Sequence, residues 1–200
     1  AGATQSTLGR SKVEVLADMA ADINPGLQLR RFPDGVSEAD LEAFLAGCDL
    51  YIDGLDFFAM AIRRAMFAAC RRLGIPAVTA APLGMGTAVL CFLPGGMSFE
   101  DYFRLDGADE TEQLLRFLVG LAPAGLHRAY LVDPRSIDLA RHRGPSTSMG
   151  CELAAGAAAS QALKLLLNRG SVLAAPRGIQ YDAYRNRARR TWRPGGNRHP

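Results

Sequence analysis

The chain has 200 residues and a mass of 21.4 kDa, with 48% hydrophobic and 22% charged residues. That is one domain's worth of chain with material for a full core, which excludes a disordered tail, a collagen-like repeat and a disulfide-dense secreted scaffold. Cys48, Cys70, Cys91 and Cys151 form no CxxC pair, so spacing supports neither a zinc site nor a redox dithiol; no signal peptide and a cytoplasmic setting are expected. Leu153 to Leu167, interrupted by Gln161 and Lys164, falls short of the roughly 20 apolar residues that cross a bilayer, so no membrane association is expected. The net charge is +3, and of 23 basic residues only Lys12 and Lys164 are lysines.

The segment from Ala1 to Arg10 is polar and loop-like, without an initiator methionine, and is expected to begin partway through a longer protein. Val13, Leu16, Ala20 and Ile23 recur at helical spacing up to Pro25, which predicts a helix over Ser11–Asn24. Leu27–Phe32 alternates as a short strand, PDGVS is a turn, and Glu38–Ala46 is a second amphipathic helix. Asp49–Asp53 (DLYID) reads as a buried strand broken by Gly54, and Asp56 opens a helix ending at RRLGIP, with cations in its last turn, Gly74 as the cap and Pro76 beyond. Two further strands follow, Ala77–Ala81 and Thr87–Leu93. Strands alternating with helices predict a Rossmann-like α/β fold, with a mainly parallel sheet covered by helices on both faces. A helix over Thr111–Leu121 is next, then a long polar connection, Asp133–Ser148, of the kind that carries function. Gly150–Asn168 reads as a helix buried nearly all round, and Gly178–Trp192 as a closing antiparallel strand pair. Six arginines fall between Arg185 and Arg198 without repeated aromatics. A solvated edge strand accounts for them, and no nucleic-acid partner is expected.

Lys12 falls in the first turn of its helix, where the free N–H groups already carry positive charge. A lysine there is sensible if an anion such as a phosphate sits between it and the helix end. Asp53 and Asp56 stand at the carboxyl end of a strand, where α/β folds bind ligands, and two carboxylates around a glycine turn can hold a divalent cation or orient a ribose. Asp56 serves equally as a helix N-cap. GMG at Gly84–Gly86 precedes a strand rather than a helix and so does not fit a dinucleotide-binding turn. His127, His142 and His199 are isolated. Cys151, at a helix start, is the best candidate for a reactive thiol, although a cysteine in an apolar segment is equally read as inert packing.

LGRSKVEVLADMAADINPGLQLRRF, DLYIDGLDFF and CRRLGIPAVTAAPLGMGTAVLCFLPGG together resemble the ThiF/MoeB-type adenylyltransferases, the superfamily that includes ubiquitin-activating enzymes. The resemblance resumes at LAAGAAASQALKLLL and GIQYDAYRNR. It implies one such domain over 1–200, with 1–96 as the Rossmann-like part and 97–200 as the acceptor-binding and closing part. It further implies that Lys12, in G-x-x-K, contacts ATP phosphates, and that Asp34 contributes to the adenine and ribose pocket. Asp53 and Asp56 match the family's D-x-x-D-N, with Asp56 organising Mg2+ and Phe57 replacing the asparagine. Arg63 matches the family's catalytic arginine once two extra residues are allowed.

The family's glycine-rich phosphate turn is not found in the sequence, so the chain is expected to lack the first βαβ portion and to be inactive alone. MSFEDYF stands where many relatives carry zinc-binding and sulfur-accepting cysteines, and no zinc is expected. The implied activity is ATP- and Mg2+-dependent adenylation of a carboxylate, the C-terminus of a ubiquitin-like or sulfur-carrier protein, by an enzyme whose expected assemblies include a homodimer. A non-catalytic interaction module and a nicotinamide-dependent oxidoreductase are the alternatives. Neither the acceptor nor any thioester or persulfide step is indicated.

Overall fold

The computed structural model of the protein describes residues 4–131 and 146–198. Its centre is a five-stranded sheet in the order β1 (Tyr51–Asp53), β2 (Ala77–Leu83), β3 (Gly86–Phe92), β4 (Arg177–Asp182) and β5 (Arg187–Trp192). The expected Rossmann-like α/β layering is present. The expectation of a mainly parallel sheet is corrected, because β1–β2 alone is parallel and the other three pairs are antiparallel. For β2–β3 and β4–β5 the reason is a short connection. Leu83 pairs with Gly86, leaving only Gly84 and Met85 to turn the chain, whereas a parallel return needs a crossover of a dozen or more residues.

Helices cover both faces, as expected. On one face α3 (Met60–Leu73), α4 (Phe99–Phe103) and α5 (Glu110–Leu121) close over Ala77, Ala88, Leu90 and Phe92 to form the main core. Phe67, Phe99, Phe103 and Phe117 fill its centre, and Phe67 stacks on Phe99 at 4.4 Å. On the other face α6 (Ser148–Leu166) packs on β2 and β3, with Ala158 against Val78, Val89 and Cys91. α3 stops as its sequence requires: Gly74 takes φ 71°, its N–H bonds the Arg71 carbonyl, and Arg71 and Arg72 occupy the last turn.

Four expectations are corrected. α3 begins at Met60, not Asp56, because residues 55–57 are held in a loop described below. Leu27–Phe32 forms no strand: β1 pairs only with β2 among the described residues, the segment is exposed up to Arg31, and Arg30 reaches the carbonyls of Ala43, Phe44 and Ala46. The second helix is a 3-10 turn, Glu38–Asp40, running into a short α2 (Leu41–Leu45). α6 is buried along one stripe only, Gly150, Ala154, Ala158 and Ala162, while Leu163 stays 62% exposed. One helix laid on a sheet buries one i, i+4 row. α1 (Lys12–Ile23) forms as expected, but it buries Val15 and Ala17 and not the periodic positions, of which Leu16 and Ile23 stay exposed. The connection assigned to Asp133–Ser148 lies outside the described residues as far as residue 145. Among the described residues no helix is long and apolar enough to cross a membrane.

Candidate functional site

β1 is three residues long, and its last residue, Asp53, is buried beneath the loop that follows. A carboxylate taken out of water needs a cation and hydrogen-bond donors. Arg63, one turn into α3 and 2% exposed, supplies the cation, its Nε donating to Asp53 Oδ2 at 2.9 Å. The Leu55 N–H donates to the other oxygen at 3.2 Å. The rest of the guanidinium turns to the loop, where Nη2 donates to the carbonyls of Leu55 (2.8 Å) and Asp56 (2.9 Å) and Nη1 to that of Phe57 (3.1 Å). Its Cζ lies over the Phe117 ring, 4.8 Å from the centroid. Arg63 thus fixes three consecutive carbonyls over the end of β1. Nearby, burial and the Asp53 charge push the Tyr51 hydroxyl pKa far upward.

The clamped loop leaves Asp56 exposed. One of its carboxylate oxygens accepts the Phe58 N–H at 3.0 Å, a local Asx turn rather than a helix cap, since α3 starts four residues later. The N-cap reading of Asp56 is therefore corrected. Phe57 packs edge-on against Phe58 at 5.1 Å and tilted against Phe117 at 5.5 Å. Of the residues nominated from sequence, Asp53, Asp56, Phe57 and Arg63 are brought together here. Lys12 is exposed at the first position of α1, and Asp34 is exposed in a turn. Cys151 is exposed in the first turns of α6, whereas burial pushes the thiols of Cys70 and Cys91 up to about 12 and about 11. Among the described residues no three His, Cys, Asp or Glu side chains cluster as a metal site.

A second polar group went unread in the sequence. At the β2–β3 turn, the Tyr130 hydroxyl donates to Asp182 Oδ2 at 2.5 Å and accepts the Met85 N–H at 2.8 Å, and Asp182 Oδ1 accepts the Arg185 N–H at 2.9 Å. His127 lies beside them, its pKa lowered by burial against the opposing pull of Asp182. Tyr130 lies 45 positions from Met85 and 52 from Asp182, so no local pattern marks the group. A groove of about 520 Å³ on the flank of α3 is lined by Arg64, Arg71, Phe99 and Glu100 and by none of the nominated residues.

Fold and site together define a Rossmann-like domain that presents a carboxylate on a rigid loop at a strand's carboxyl end. The family model described as the ThiF family matches residues 1–200, and the chain belongs to that family. Among solved structures it is similar to selenomethionine PaaA (12% identity, TM-score 0.62, 96% of this chain and 50% of that one). It is also similar to E. coli MccB with ATP (13%, TM-score 0.62, 95% and 50%). A third similar structure is the microcin C7 biosynthetic enzyme MccB with N-formylated MccA (13%, TM-score 0.63, 95% and 51%). At these identities the likeness is one of fold, and the chain spans about half the length of each. No curated protein sequence matches it.

Proposed function

We propose that the protein carrying this chain is an adenylyltransferase that activates a carboxylate with ATP, its acceptor being the C-terminus of a ubiquitin-like or sulfur-carrier protein. Membership of the ThiF family supports this reading, as do the neighbours of the same fold whose structures hold ATP or the MccA peptide. The observation that carries it is the exposed Asp56 carboxylate on a loop fastened by Arg63. An acceptor carboxylate oxygen attacks the α-phosphorus, the bond to the bridging oxygen breaks, and pyrophosphate leaves. The task of the protein is to position a polyanion and offset its charge.

In this reading Lys12 and the free N–H groups at the start of α1 hold phosphate oxygens, and Asp34 faces the ribose. Asp53 and Arg63, saturated by one another and by the loop, act as positioning residues. The donor set fits Mg2+ of the substrate-borne kind: Asp56 retains one oxygen without a protein donor among the described residues, and this cation commonly takes one or two carboxylates, with waters and phosphates completing its shell. When bound, the cation offsets charge on the departing pyrophosphate.

Asp56→Asn tests the assignment. Asparagine keeps the acceptor for the Phe58 N–H, so the thermal midpoint stays near that of the parent, while ATP–pyrophosphate exchange falls at least about a hundredfold, equivalent to about 2.7 kcal/mol of transition-state stabilisation. Exchange within a few-fold of the parent removes Asp56 from the chemistry. A non-catalytic module has one observation in its favour, since Phe57, where the family motif has asparagine, is turned into aromatic packing. No exchange by the parent protein, with any acceptor peptide, would favour that reading.

A further inference from the structure

We infer that the outer edge of β5 is a docking site for an extended, acidic polypeptide strand. Among the described residues β5 is the terminal strand of the sheet, paired on one side with β4 over its six residues. All of its residues except Thr191 are exposed. Its outward N–H and C=O groups form a template for another strand, the arrangement used in peptide recognition by strand addition. The charge of that template is one-sided. From Ala183 to the last residue the chain has no Asp or Glu, and Arg187, Arg189 and Arg190 sit on the edge itself.

Several other arginines are engaged: Arg10, Arg64, Arg72 and Arg116 pair with carboxylates, and Arg30, Arg71 and Arg185 bond main-chain carbonyls. The side chains of Arg187, Arg189 and Arg190 have no such partner among the described residues. Register places them on both faces: Arg187 and Arg189 lie opposite Asp182 and Gln180, and Arg190 opposite Ile179. An added strand would therefore meet a guanidinium above and below its own plane, and directly opposed unlike charges favour pairing. Trp192, 66% exposed at the end of β5, adds an apolar contact. Nucleic acid fits less well, because it offers no ladder partner and needs a series of stacking rings.

The inference is independent of the proposed adenylation, and its test uses no nucleotide. Trp192 is the only tryptophan of the chain, so its emission reports directly on the edge. The 200-residue chain is titrated with a hexapeptide of alternating glutamate and valine. The same peptide with alternate backbone N-methyl groups, a lysine–valine hexapeptide and oligothymidylate are titrated in parallel. The expected result is a saturable shift with the acidic peptide that weakens with salt, is weakened at least about tenfold by N-methylation, and is absent with the lysine peptide. Arg187→Glu/Arg189→Glu/Arg190→Glu, with its fold checked by circular dichroism, should lose the response. The N-methylated control decides the matter on the unaltered protein if that variant does not fold. Absence of a saturable shift would leave β5 a solvated edge, equal binding of the N-methylated peptide would reduce the effect to charge attraction, and tighter binding of oligothymidylate would assign the edge to nucleic acid. Each of these overturns the inference.

Discussion

Four of the five N–H groups of the Arg63 guanidinium are directed at oxygens of the chain itself, so what this residue governs is the shape of loop 55–57. Arg63→Met would leave the Asp53 carboxylate buried without its cation. Breaking a buried pair in this way costs about 3–5 kcal/mol, and a thermal melt should show a large fall, partly restored when Asp53→Asn is added. An unchanged midpoint for Arg63→Met would show that the clamp is not needed for the fold. The sequence pointed to Asp53, Asp56 and Arg63 but not to this relation, because ten positions across a turn is no fixed helical or strand spacing. His127 sets a second, pH-dependent test. Burial holds its folded pKa below the ordinary value of about 6.5, so the neutral ring is favoured in the fold. Its stability contribution is full above that pH and is lost as pH falls through the folded value. Asp182 opposes the shift and Arg128 adds to it. His127→Asn should therefore lose less thermal stability than the parent between pH 6.5 and the folded pKa, and parallel slopes would remove His127 from the pH response.

The β2–β3 turn and α6 depend on close approach at glycine. A Cβ on Gly86 would overlap the Tyr181 carbonyl and come within 2.8 Å of Asp182 Cα, and one on Gly150 would lie 2.6 Å from the Gly84 carbonyl. Backbone cannot move aside as a side chain tip can. Gly86→Ala should therefore cost more than the about 1–3 kcal/mol usual for overpacking, seen as a lower urea midpoint. Gly156, exposed in the same helix with nothing within 4 Å of its added Cβ, should behave oppositely. Gly156→Ala is expected to stabilise by about 0.5–1 kcal/mol through helix propensity, and a lower midpoint would refute this. Both helix ends of α3 illustrate what sequence can carry. Its C-terminus was legible because Gly74, the arginines and Pro76 act locally, while its N-terminus was displaced by a tertiary clamp. Strand direction was misread for a related reason: hydrophobic pattern records burial, and only the two-residue connection at Gly84–Met85 records that β3 returns antiparallel.

At the scale of the whole molecule, one sheet unites strands from both halves of the chain, with β4 and β5 continuing the row begun by β1 to β3. The fold is legible in the sequence because core burial follows composition and pattern, whereas a ligand site draws single residues from many elements. Phosphate binding makes a demand that this chain meets only in part. Backbone N–H groups must approach a polyanion closely, which glycine-rich turns permit. The GMG segment, Gly84–Gly86, is committed to the β2–β3 turn, where Gly84 lies against Tyr130 and His127 and Gly86 against the backbone of β4. Among the described residues what remains is the start of α1, where Ser11 makes no side-chain cap and Lys12 is exposed. One helix end, one lysine and one available carboxylate should hold MgATP no better than millimolar, or about −4 kcal/mol. Calorimetry on the 200-residue chain is expected to give weak or undetectable heats. Micromolar affinity would mean that Lys12, Asp34 and Asp56 form a complete phosphate site without a glycine-rich turn. In that case Lys12→Ala, at an exposed position unneeded for packing, should abolish the heats while leaving the thermal midpoint unchanged.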